Sequence, residues 1–120
     1  MSSALILTVL SGAHATTIAI GTLTQITGTS NTANIAWTYG ESQCTFEFLG
    51  YGSDNPCDQQ FALTDGEEGF QLAGCGGSLW MTEWGNWYSN CYESVVDLGT
   101  CWDPNVSGYS GTVTQTYVCG

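Results

Sequence analysis

Apolar and polar positions alternate at period two through most of the chain. Ile18 and Ile20 alternate with small residues, and Ile26 closes that run. Ile35, Trp37 and Tyr39 repeat the spacing, and Phe46 and Phe48 share one face of the segment Thr45 to Tyr51. A half-buried strand requires this period, because successive side chains point to opposite faces of the pleat. Turn chemistry punctuates the runs. Thr27 to Thr32 is a cluster of Thr, Gly, Ser and Asn, and Gly50 to Asp58 is a loop containing Asn55-Pro56. Asp65-Gly66 stands between Phe61/Leu63 and Phe70/Leu72, a hairpin signal because glycine accepts positive φ without a steric penalty.

The densest aromatic segment is read as a second hairpin. With Gly85-Asn86 as a two-residue turn, Trp84 faces Trp87 and Trp80 lies opposite Cys91. Trp80, Thr82, Trp84, Trp87, Ser89 and Cys91 then share one face, while Leu79, Met81, Glu83, Tyr88, Asn90 and Tyr92 share the other. Trp80, Trp84, Trp87 and Tyr88 also fall at helical spacing, but Gly85 and Asn86 in the middle oppose a helix by propensity. Val95-Val96 is a short apolar run, and alternation through Thr112 to Cys119 marks a last strand. Seven to nine short strands with closely spaced turns predict an all-β fold. The expected architecture is a small antiparallel β-sandwich or barrel.

The start of the chain has a different pattern. Ala4 to Leu10 is mostly apolar and Ala13-His14-Ala15 fits a small-x-small cleavage site, so residues 1–15 read as a secretory signal peptide. Only the terminal amine supplies positive charge there. Residues 16–120 form one domain by length. The six cysteines, Cys44, Cys57, Cys75, Cys91, Cys101 and Cys119, then read as three disulfides stapling that domain. Cys57 with Cys75 across a hairpin, Cys44 with Cys119 and Cys91 with Cys101 is the expected pairing. No C-x-x-C spacing suggests a thiolate metal site.

Charge removes whole classes of function. The 120 residues hold 11 Asp and Glu, no Lys, no Arg and one His, His14, for a formal net charge of −11. A nucleic-acid binder needs cations to displace counterions from phosphate, and an anionic membrane surface makes the same demand. A Ser-His-Asp triad, a Schiff-base lysine and a P-loop each lack an essential residue after Ala15. Carboxylates and Tyr are what is left for acid–base work. Glu83 and Glu93 flank the Trp-rich hairpin as a pair for a small glycoside hydrolase or lyase. Charged side chains at a hairpin edge more commonly solvate it. Asp54, Asp58, Asp65, Glu67 and Glu68 offer oxygen ligands of the kind Ca²⁺ takes, but their spacing is not that of an EF-hand. Neither a metal nor a cofactor is expected.

The aromatics are the positive clue. Trp80, Trp84, Trp87, Tyr88 and Tyr92 fall within 13 residues and are the candidate ligand-binding residues. Exposed rings would give a platform for sugar CH faces or a hot spot for a protein partner. The core of a small β domain is nonetheless expected to claim at least half of the three tryptophans. Trp102, beside Cys101, is expected to pack on a disulfide. Asn105-Val106-Ser107 is a glycosylation sequon in a polar stretch.

A leader, a mature chain near 100 residues, six cysteines and a penultimate Cys119 together resemble the small secreted cysteine-rich proteins of fungi, including effector-like ones. The chain departs from them in lacking basic residues. The resemblance implies an extracellular protein, effector-like or cell-wall associated. It would work by binding a polysaccharide or an extracellular host protein, not by catalysis. A structural protein that self-assembles at a surface is the third expectation, beside binding and carboxylate-dependent hydrolysis.

Overall fold

The structure is a computed structural model that describes residues 16–25, 32–52, 54–63, 66–101 and 111–120. Residues 1–15, Ile26, the turn cluster from Thr27 on, Asp65, Trp102 and the Asn105 sequon lie outside the described residues. Eight strands follow in order: β1 (Ile18–Gln25), β2 (Thr32–Thr38), β3 (Glu47–Tyr51), β4 (Gln60–Phe61), β5 (Phe70–Ala73), β6 (Trp80–Glu83), β7 (Asn86–Cys101) and β8 (Gly111–Cys119). They form one sheet in the order β3-β2-β1-β8-β7-β6-β5-β4, and every pairing is antiparallel. The all-β class expected from the alternation is the class the chain adopts.

The sheet curls until its two edges share a core, which makes a nearly closed barrel. Leu49 of β3 and Phe61 of β4 belong to one buried cluster with Ile18, Ile20, Phe70, Leu72 and Met81. A second cluster lies on the outer side of the same sheet and contains Ala19, Leu23, Ile35, Trp37 and Val113. β1 is therefore buried on both faces. That is why its sequence interleaves Ile18 and Ile20 with Ala19 and Gly21 and shows no polar alternation until Thr22.

The chain itself covers this outer cluster. Phe46 and Leu98 pack against it, and the Gln43 Nε2 donates to the Leu98 carbonyl at 3.1 Å. The cover is the segment after β2, with Leu98 of β7 beside it. β7 is 16 residues long. Its first part pairs with β6 and its second with β8, and register shifts between Glu93 and Val96 and between Asp97 and Gly99 bend it. Bulges of this kind sharpen twist and turn a strand across a corner.

All six cysteines are paired. Cys57–Cys75 is as expected. The other two bridges correct the expectation: Cys44 joins Cys101 and Cys91 joins Cys119. Topology is the reason. Cys91 sits directly opposite Cys119 in the β7–β8 ladder, with their Cα atoms 4.0 Å apart. Cys101 ends the same strand ten residues further on, about 30 Å away at the usual strand rise, so it cannot reach Cys91. It pins the covering segment through Cys44 instead.

Candidate functional site

The Trp-rich hairpin forms, but its turn is one residue earlier than the sequence suggests. Glu83 pairs with Asn86, which leaves Trp84-Gly85 as the two-residue loop. Their φ values of 51° and 84° are those of a type I′ turn, whose twist matches the flanking strands. A bulky residue in this region is strained by roughly 1 kcal/mol. Trp84 is the one non-glycine residue with positive φ among the described residues.

A bulge then changes which side chains share a face. Thr82 pairs with Trp87 and Met81 with Ser89, so Tyr88 is the extra residue. Ser89 turns inward beside Met81 and is buried. Asn90 and Tyr92 join Trp80, Thr82 and Trp87 on the outer face. This corrects the expected face assignment and the expected Trp80–Cys91 juxtaposition, since Trp80 lies opposite Asn90.

The expectation that the core would claim at least half of the three tryptophans is also overturned. Trp80, Trp84 and Trp87 are 38%, 63% and 65% exposed, and Tyr92 is 57% exposed. Phe70, Leu72, Met81 and Leu49 already fill the space inside. Two of the indoles rest on glycines. A Cβ built on Gly69 would collide with the Trp84 ring, and one built on Gly74 would come within 2.6 Å of the Trp80 ring. Both glycines also hold φ near +80°, so no other residue fits these seats without strain. The backbone amide of Trp84 donates to the Gly69 carbonyl at 2.8 Å, which fixes the ring's base.

Polar groups frame the rings. Trp87 Nε1 donates to Asn90 Oδ1 at 3.1 Å. Thr82 Oγ1 donates to the Gln71 carbonyl at 2.9 Å, and Gln71 Nε2 donates to the Cys57 carbonyl at 2.7 Å. Gln60, opposite Gln71, is exposed and joins Glu68 and Trp84 around a small cavity of about 210 Å³. Gln60, Gln71, Thr82 and Asn90 were not legible as site residues. Only the register of four strands brings them beside the indoles.

Tyr88 lies on the inner side of the sheet, apart from the outer rings and packed against the core cluster. It packs edge-on against Phe70, with ring centroids 5.1 Å apart, and its hydroxyl donates to the Thr16 carbonyl at 2.6 Å. Burial raises its pKa above the ordinary 10.0, and the carboxylates of Glu67 and Glu83 push the same way. The hydrogen bond to Thr16 opposes them. The carboxylates do not converge for hydrolysis. Glu83 pairs with Asn86 at one end of β7, whereas Glu93 pairs with Tyr117 seven residues along that strand. Seven residues of strand span about 20 Å, beyond the roughly 5–10 Å that separates a hydrolytic carboxylate pair.

Two of the acidic loop residues accept hydrogen bonds from the chain. Asp54 Oδ2 accepts the Tyr51 amide at 3.0 Å, and Glu67 Oε2 accepts the Thr16 hydroxyl at 3.0 Å. Asp58 lies in the 3₁₀ turn Pro56–Asp58, and Glu67 and Glu68 lie on the β4–β5 connection. Among the described residues no group of three or more His, Cys, Asp or Glu side chains is placed to hold a metal ion. No helix among them is long and apolar enough to cross a membrane. The chain matches no family model, no curated protein and no solved structure.

Proposed function

We propose that this is an extracellular binding protein that lays its outer aromatic face on a neutral polysaccharide and works without turnover. The observation that carries the reading is the exposure of three indoles, Trp80 and Trp87 on the outer sheet face and Trp84 in the hairpin loop that joins their strands, two of them seated on glycine. Rigid rings suit the apolar CH faces of pyranose units, and the flanking Gln60, Thr82 and Asn90 supply partners for hydroxyl groups. The charge of −11 with no Lys or Arg favours a neutral polymer over an anionic one. Three disulfides and the layout shared with small secreted cysteine-rich proteins support an extracellular setting, effector-like or cell-wall associated.

The test is depletion from solution by insoluble chitin, β-glucan and mannan, with tryptophan fluorescence titrated against the matching oligomers. One polymer should deplete the protein and shift its emission. Trp80→Ala with Trp87→Ala should weaken that binding about fivefold or more, at about 0.5–1.5 kcal/mol per stacked ring. Equal binding by the double variant, or no shift with any sugar, defeats the proposal. A protein partner is then the reading to pursue.

A further inference from the structure

The covered half of the outer face is not filled. A cavity of about 340 Å³ lies between the end of β2, the segment after it and the bulged middle of β7. Trp37, Tyr39, Glu41, Ser94, Val96 and Gln115 line it. Trp37 and Gln115 are only 2% and 4% exposed, so a buried ring and a buried amide form its floor. Gln115 is held in place, with Nε2 donating to the carbonyl oxygen of Ser94 at 3.0 Å and to its hydroxyl at 3.1 Å. A cavity that stays dry has apolar walls, whereas one with polar walls holds water or a ligand. This one combines two aromatic rings with an amide, a hydroxyl and a carboxylate, and its volume lies at the lower end of ligand pockets.

Its place in the sheet links it to the aromatic face. The antiparallel register sets Tyr92, Val118, Ala19 and Trp37 in one row across β7, β8, β1 and β2. Ala19 and Trp37 belong to the outer cluster, so the whole row lies on the outer side of the sheet. Tyr92 thus borders the exposed rings, and Trp37 in the same row forms the cavity floor. Along β7, Ser94 of the cavity follows Tyr92 by two residues. From Trp87 to Ser94 the strand runs about 20 Å, the length of several sugar units laid end to end.

Building on the proposed polysaccharide reading, we infer that this cavity takes the terminal pyranose ring of the bound chain. The exposed indoles contact the flat faces of internal units. The cavity encloses one ring, with Trp37 and Tyr39 against its CH face and Glu41, Ser94 and Gln115 toward its hydroxyls. The absence of any cationic side chain makes that ring uncharged or aminated, not a uronic acid.

The test uses Val96→Trp, which fills the cavity from a rim position that is 42% exposed, and Tyr39→Ala, which removes an exposed rim ring. Calorimetry with hexaoses of glucose, mannose and N-acetylglucosamine is set beside depletion by the matching insoluble polymers, which present many internal units and few ends. V96W should weaken hexaose binding about tenfold and change polymer depletion less than twofold, whereas W80A/W87A should weaken both. Unchanged hexaose affinity in V96W, with affinity lost in W80A/W87A, overturns the terminal-ring pocket and leaves the aromatic-face reading standing. A parent protein that binds no hexaose and no polymer overturns both. If V96W loses the parent's near-UV dichroism, Y39A decides, with about fivefold weaker hexaose binding expected and unchanged binding counting against the pocket.

Discussion

The outer side of the curled sheet has two halves that are treated in opposite ways. Over β1, β2 and β8 the chain lays its own segment after β2 across the surface, secures it to the far end of β7 through Cys44–Cys101, and leaves Trp37 2% exposed. Over β5, β6 and the near part of β7 no described segment is laid down, and Trp87 is 65% exposed. The same sheet, the same side and the same residue type thus end in burial or in partial exposure to water. The difference lies in what the chain spends its loops on. A domain with the means to cover aromatic residues on one half, and three indoles bare on the other, has the bare half available for something other than folding.

Four substitutions probe that contrast, from the largest effect to the smallest. Trp37→Ala removes a buried indole and should cost about 3–5 kcal/mol, read from the denaturant midpoint. A loss below about 1 kcal/mol would mean that the covered half is not a true second core. Replacing Cys44 and Cys101 together by Ser releases a 57-residue loop and should cost about 4 kcal/mol in the chain-entropy account. The indoles near β6 should stay as exposed to acrylamide quenching as in the parent, since their seats lie elsewhere.

Tyr88→Phe removes the hydroxyl that donates to Thr16 and should cost about 1 kcal/mol at neutral pH. Its pH dependence has a defined sign. Burial raises the folded-state pKa of Tyr88 above 10.0, so its contribution is full below about pH 10 and is lost as pH rises through the higher folded value. Urea midpoints taken between pH 9 and 12 should therefore fall less steeply for Y88F than for the parent. The smallest effect belongs to the bare half. Trp87→Ala should change stability by no more than about 0.5 kcal/mol in either direction, as exposed positions do. A cost approaching that of W37A would show that the indole supports the fold.

Legibility in the sequence followed the same division. β1, β2 and β8 were readable as strands from short period-two pairs, Ile18 with Ile20, Ile35 with Trp37 and Tyr117 with Cys119, set among small residues and threonines. β7 was not. Its hairpin end and Val95-Val96 looked like separate pieces, since bulges interrupt the period and most of its side chains are exposed. The inner and outer burial of β1 was hidden as well, because Ala19 and Gly21 look like spacers until a second layer packs on them. The aromatic face was half legible. The clustering of Trp80, Trp84 and Trp87 was visible, but their exposure depended on how much of the interior Phe70, Leu72 and Met81 would fill. A bulge that no residue type announces turned Ser89 inward and carried Asn90 and Tyr92 to the outer face. The disulfide pairing needed the β7–β8 ladder, a contact between segments far apart in the chain.

β7 is stapled at two points along its length, to β8 through Cys91 and to the segment after β2 through Cys101. The indole of Trp87 stands four residues before the first of these. A polymer dragged across the bare face would load β7 along its axis, and the pull would reach a sulfur bridge after one short run of backbone. From there it passes covalently into β8, beside the most deeply buried strand, so shear is borne by bonds that do not unzip one at a time as a ladder of hydrogen bonds does.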